Sequence, residues 1–377
     1  MRLKTLITEI KKKGIHKKNG FKYMSVEEFM SQQLTEAPLG KYKTMSDDDI
    51  QPYLKRAKDK SRTPKDKLNM PYVHNARLKF KDESGAELDP DELRKNIMVR
   101  PSPILRKNEK MKHSDGTEEQ YYNIGLPALR GLAVNEQTGE FIVVNTCPGA
   151  GSCMLTCYAM KGNYIMVPDS AQFRSRMLNF VVNDPDGFKA QLMKEVGNKY
   201  KTSQRTGEIV AIRWHDAGDF FSPDYLQIAI DVAHAFPDVN FYAYTKMAGV
   251  MSASVPPNFN PRFSDGAKKS EEKQVDFSKQ RSGRIVPKDL FDDLRVARKG
   301  KGSKDASGRW AFTDLNELRR RIADYYDVEL KTVIFDSEYT TLNKDQQENQ
   351  WNVIIVPGGS DAPANDKNNL NVFNLEH

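Results

Sequence analysis

The sequence has no apolar run approaching the roughly 18 to 20 residues of a helical membrane span. Its opening, Met1-Arg2-Leu3-Lys4 leading into Lys11-Lys12-Lys13, holds no secretory apolar core either. These two absences predict a cytoplasmic chain with no membrane partner. Cysteine is scarce: 377 residues contain three, all between positions 147 and 157. An odd number confined to one short window excludes the disulfide framework of a small secreted domain and leaves metal binding or thiol chemistry to explain the clustering. Internal repeats are absent.

What is present is charge, unevenly placed. Lys and Arg number 58 against 51 Asp and Glu, a formal net charge of +7. The basic excess lies in the first 120 residues, which are polar and lysine-rich and predict a basic N-terminal extension. Lys55, Arg56, Lys58, Lys60, Arg62, Lys65 and Lys67 could meet phosphates of a nucleotide or nucleic acid. They suit a solvated face better, since aromatics that could stack on bases are thin there.

From about Tyr121 the texture changes to alternating strand-like and helix-like segments, the pattern of an α/β sheet. Strands are predicted at Phe141 to Val144, Ile209 to Trp214, Val239 to Thr245, Thr332 to Phe335 and Trp351 to Val356. Helices are predicted at Ala171 to Val182, Phe188 to Tyr200 and Leu315 to Tyr326. Another begins at Ser222 as N-cap, with Pro223 in the first helical position. Strand, helix and parallel strand in succession imply right-handed βαβ units whose strand exits share one face. The expected architecture is a partial (β/α) barrel-like core over residues 121 to 377, in the manner of a TIM barrel. Residues 249 to about 309, polar and rich in lysine, read as an insertion or lid.

Cys147, Cys153 and Cys157 follow the exit of the Phe141 to Val144 strand, in a loop loosened by Pro148, Gly149 and Gly151. Three thiolates on one loop can converge on a soft metal centre. With a 4Fe-4S cluster they would leave one iron open to a small chelating molecule. A structural zinc with a fourth ligand, inert thiols or a redox pair are the competing readings.

The segment Asn145 to Ala150, then Cys153, then Cys157 to Gly162, resembles a bacteriophage family known as gene product 88. So do Arg213 to Ser222, the Phe241 to Lys246 strand and the terminal Gly359-Ser360-Asp361. The resemblance covers roughly residues 120 to 377. The cysteine loop is also similar to that of radical S-adenosylmethionine enzymes, although their usual spacing is C-x3-C-x2-C and here it is C-x5-C-x3-C. The resemblance implies a 4Fe-4S cluster on the three cysteines, flanked by Tyr158. It implies S-adenosylmethionine as a second cofactor, its amino group received at Gly218 and Asp219, and a setting in the host cytoplasm.

His215 and Asp216 form a candidate acid–base pair at the same strand exit, where adjacent residues face opposite ways. Lys246 closes the third strand and could bind a carboxylate or phosphate. Gly359 and Asp361 could let backbone approach a ligand after the last predicted strand. Three functions follow as expectations: a radical S-adenosylmethionine-type iron–sulfur enzyme modifying nucleotides or nucleic acid; a non-catalytic binder of nucleic acid or a host factor with a structural metal; or a hydrolase using metal-bound water held by His215, Asp216 and Asp219. No pattern in the sequence sets an oligomeric state. Leu375-Glu376-His377 reads equally as a natural terminus or an affinity-tag remnant.

Overall fold

The computed structural model describes residues 43–45, 90–107, 119–160, 164, 168–298, 301–302, 309–357 and 362–375. Along the chain come β1 (Lys43–Met45), α1 (Pro90–Met98), β2 (Arg106–Lys107), β3 (Glu119–Ile124), β4 (Arg130–Val134) and β5 (Phe141–Asn145). The single turn α2 (Cys153–Thr156) and the long helices α3 (Pro168–Asn183) and α4 (Pro185–Thr206) lead to β6 (Ile209–Trp214). Next are α5 (Pro223–Ala235), β7 (Asn240–Thr245), β8 (Phe259–Ser264) and β9 (Ser282–Val286). Then follow β10 (Ala297–Arg298), β11 (Lys301–Gly302), α6 (Leu315–Tyr326), β12 (Val333–Phe335), β13 (Asn352–Ile355), α7 (Ala362–Asn365) and β14 (Asn371–Leu375).

The long helices are bounded by local chemistry. Asp184 caps α4 by accepting from the Gly187 amide at 2.9 Å, and the helix stops at Gly207, whose φ of 78° lies where a side chain is disfavoured. Ser222 caps α5 through the Tyr225 amide with Pro223 beside it, as the sequence predicts. Asp314 does the same for α6 through the Glu317 amide.

Nine strands form one sheet in the order β2-β3-β6-β7-β8-β9-β14-β13-β12. Every neighbouring pair is parallel except β2 with β3. From β3 to β9 each parallel strand lies beside the one before it; the chain then crosses to the far edge at β12 and returns inward. The expected mixed α/β class with a mostly parallel sheet is therefore present. No pairing among the described residues joins edge strands β2 and β12 into a barrel.

Side chains alternate across the sheet. On one face Phe188, Leu192, Tyr225 and Ala229 of α4 and α5 pack on Ile212, Trp214, Phe241 and Phe259, and Leu318 and Ile322 of α6 pack on Val333, Phe335 and Phe373. On the other, Ala364 of α7 meets Tyr121, Ala211, Tyr242 and Val372. Arg262, with no exposed surface, holds this second layer down by donating to the carbonyls of Pro363, Ala364, Asp366, Asn369 and Leu370.

Three expectations need correction. Residues 249 to 309 are not an insertion beside the core, because β8 and β9 are central strands; the polar text there comes from connections and from buried polar residues such as Asn260 and Arg262. The extension does not run to residue 120, because α1 buries Leu93 and Ile97, Ile104 and Leu105 are core residues, and β3 starts at Glu119. The strand before the cysteines belongs to a separate antiparallel sheet, β1-β5-β4, and not to the parallel one. The basic stretch from Lys55 to Lys67 lies outside the described residues.

Candidate functional site

The chain leaves β5 and folds over the carboxyl ends of four parallel strands. Thr146 fixes the turn, its amide donating to the Leu129 carbonyl at 3.0 Å and its hydroxyl to the Pro127 carbonyl at 2.6 Å. Its own carbonyl accepts from the Asp219 amide, beyond β6, at 2.7 Å. The Gly151 and Cys153 amides donate to the Gly266 carbonyl beyond β8, and Lys268 donates back to Gly149. Gly149 and Gly151 are required by this close approach. A Cβ on Gly149 would lie 2.2 Å from the Lys246 carbonyl oxygen, and one on Gly151 would lie 2.1 Å from that of Ala267.

Cys147, Cys153 and Cys157 are half-buried and packed on one apolar patch formed by Leu129 and Ala150. The Leu129 amide donates to the Cys147 sulfur at 3.2 Å from a backbone with φ of 62°, a strained conformation for leucine. Burial pushes the Cys147 thiol far above its ordinary value; nearby Asp219 adds to the rise, and the other two thiols contribute further. Burial also raises Cys153, opposed by the positive charge of Lys246 and a hydrogen bond with Gly151. Among the described residues, no group of three or more His, Cys, Asp or Glu is disposed to hold a metal ion.

The other expected residues separate into two sets. Tyr158 stands beside the thiols with its ring half exposed, while its hydroxyl is inserted and donates to the Asp216 carbonyl. That insertion desolvates the phenol and raises it well above its ordinary range. The Lys246 ammonium donates to the Ser264 hydroxyl at 2.8 Å, close enough to Cys153 to act on its charge.

The remainder serve the frame. His215 does not face the thiols: its ring sits 4.4 Å from Phe220 and 5.5 Å from Tyr225, Nε2 lies 3.2 Å from the Tyr225 hydroxyl, and burial lowers it to about 3. A neutral, enclosed imidazole at φ 64° is part of the aromatic core beneath the turn. Asp216 is buried and paired with Arg174 at 2.6 Å. Asp219, expected to receive an ammonium group, accepts instead from the Phe220 amide and Thr245 hydroxyl on Oδ1 and from the Lys246 amide on Oδ2, each at 2.7 Å. It ties the exits of β6 and β7, and burial outweighs these bonds in raising it. Gly218, at φ 86°, packs where a Cβ would lie 2.7 Å from that of Leu126, so its freedom serves the turn. Gly359 and Asp361 lie outside the described residues.

Sequence reasoning missed Arg174, Tyr164 and Ser264. Arg174 pairs with Asp216 from 42 positions away while its guanidinium covers the Tyr164 ring at 4.4 Å. Nothing local in α3 marks that arginine, and Ser264 is chosen only by the parallel pairing of β7 with β8.

This geometry defines an α/β protein with a mostly parallel sheet and a thiol-bearing loop over its strand exits. The chain belongs to the gene product 88 family, a phage-type gene-product family, which it matches over residues 103–316, more than half its length and the whole of that loop. Comparison with curated proteins and with solved structures gave no match. No helix among the described residues is long and apolar enough to cross a membrane.

Proposed function

We propose that this chain is an iron–sulfur protein of radical S-adenosylmethionine type, in which Cys147, Cys153 and Cys157 hold a 4Fe-4S cluster. The observation that carries the reading is the gathering of three cysteines on one patch at the carboxyl ends of β3, β6, β7 and β8, where ligands bind in parallel α/β sheets. Three thiols are the donor set of a cubane with one open iron, since each cysteine of such a cluster binds its own iron and the sulfurs need not close on one point. The amide directed at the Cys147 sulfur is the hydrogen bond that tunes cluster thiolates.

When bound, such a cluster supplies single electrons and one iron position open to S-adenosylmethionine. The protein's own tasks follow from its residues. Leu129 orients Cys147, and Lys246 favours the thiolate of Cys153. Tyr158, anchored on Asp216, presents a fixed aromatic face beside Cys157. That face suits a nucleobase or adenosyl ring, so the substrate class we propose is a nucleotide or nucleic acid. In this reading Gly218 and Asp219 shape the turn, through their contacts with Leu126, Thr245 and Lys246.

The test is iron and sulfide analysis of anaerobically purified full chain, followed by reduction with S-adenosylmethionine present and a search for 5′-deoxyadenosine. About four irons and four sulfides per chain, lost on Cys153→Ala, are expected for a cubane. Zinc without sulfide would end the cluster reading. A full cluster with no 5′-deoxyadenosine would end the radical reading alone.

A further inference from the structure

Lys246 is a cation held in place with no ion-pair partner among the described residues. Its amide is fixed by Asp219 at 2.7 Å, and its carbonyl abuts Gly149 of the cysteine loop. Its side chain reaches the half-buried Ser264 at the neighbouring strand exit, where Nζ donates to the hydroxyl at 2.8 Å.

The acids around it are committed elsewhere. Both oxygens of Asp219 are engaged by Phe220, Thr245 and the Lys246 amide. Asp265 pairs with Arg284 at 2.8 Å and accepts from the Ile285 amide at 2.9 Å. Glu271 accepts from the Ala248 amide. Among the described residues no carboxylate forms an ion pair with the Lys246 ammonium. A half-buried ammonium satisfied by one neutral hydroxyl keeps donors for an incoming charged acceptor, and a charge-assisted bond there is stronger than the one it has.

We propose that Lys246 and Ser264 form an oxyanion subsite facing Cys153, which takes the carboxylate or phosphate of a ligand lying over the thiol patch. The proposal goes beyond the cluster reading, because it needs only the lysine, the hydroxyl and the thiol beside them. Cys153 adjoins this pair in space, because its amide donates to the Gly266 carbonyl, two residues beyond Ser264, at 3.2 Å, so an anion seated on Lys246 covers that thiol.

The experiment uses the full chain, reduced and free of metal, with the alkylation rate of Cys153 by iodoacetamide read by peptide mass spectrometry. Inorganic phosphate and acetate are added separately, and sodium chloride at matched ionic strength is the reference. Either oxyanion should slow labelling saturably, by about fivefold when its concentration is four times its dissociation constant, since protection follows 1 + [L]/Kd. Protection by phosphate alone assigns a phosphate ligand, by acetate alone a carboxylate, and by both the shared chemistry. Lys246→Gln should abolish the protection ratio, Ser264→Ala should weaken it, and Lys246→Arg should keep it. Equal rates in all three salts with the unaltered chain, or protection that survives Lys246→Gln, would overturn the subsite. None of these outcomes depends on whether a cluster binds.

Discussion

Arg174→Met tests the frame that holds Tyr158 beside the cysteines. In the native fold Nη2 of Arg174 lies 2.6 Å from Oδ2 of Asp216, and the two side chains are only 9 % and 7 % exposed. The pair is therefore buried, and removing one partner strands a carboxylate, at a cost of about 3–5 kcal/mol. The Tyr164 hydroxyl, 3.4 Å from the same oxygen, is too distant to replace the guanidinium. Room for water is short on the other side, because a Cβ added to Gly125 would lie 2.0 Å from Asp216 Oδ1. For a domain of this size each kcal/mol moves Tm by roughly 2–4 °C, so the fall should be about 6–20 °C.

The double variant Arg174→Met with Asp216→Leu should recover most of that loss, since apolar replacement of a buried pair is often near neutral. Tyr158 bonds to the backbone carbonyl at 216, which the double variant retains. Chemical denaturation and calorimetry measure both variants. A loss under about 1 kcal/mol in the single variant would show that the carboxylate is hydrated in the fold and that the pair does not carry the turn.

His215 should make stability fall in acid. Its folded value of about 3 lies below the unfolded 6.5, so the stabilising contribution is full above pH 6.5 and drains as pH falls toward 3, amounting to ~2 kcal/mol by pH 5. His215→Gln should flatten that part of a pH series of urea melts, and an unchanged slope would place the titration elsewhere. Arg262→Ala leaves five carbonyls of the 363–370 segment without their common donor and should cost at least ~3 kcal/mol, with hydrogen exchange around Ala364 and Asn369 rising first. Gly151→Ala drives a methyl into the Ala267 carbonyl at 2.1 Å and should displace the cysteine loop, seen as faster labelling of Cys147 with the sheet's circular dichroism preserved. In the unaltered chain Cys153 should label before Cys147, because Lys246 favours its thiolate while burial and Asp219 disfavour that of Cys147; the reverse order would refute this electrostatic account.

Local pattern was enough for elements whose signals are contained within them. β6 was legible end to end from Ile209 to Trp214, α6 from Leu315 to Tyr326, and the start of α5 from the Ser222-Pro223 pair, because period and cap chemistry are properties of neighbouring residues. The place of the cysteine loop just after a strand was legible too, since β5 ends at Asn145.

Pairing partners and facing directions belong to tertiary structure. Only the fold put β5 in an antiparallel sheet apart from the parallel one, and only the fold drew β8 and β9 to the centre, where Arg262 and Asn260 are buried by what crosses them. The same holds for the site. His215 and Asp219 look like chemistry in sequence because their side-chain types can do chemistry, but an imidazole enclosed by Phe220 and Tyr225 and a carboxylate filled by three donors are spent on structure. Lys246 is the opposite case. Nothing in its flanking residues says whether an acid will face it, and that was decided by two neighbouring strand exits whose acids bond elsewhere, because ion pairing depends on distances between segments that are far apart along the chain.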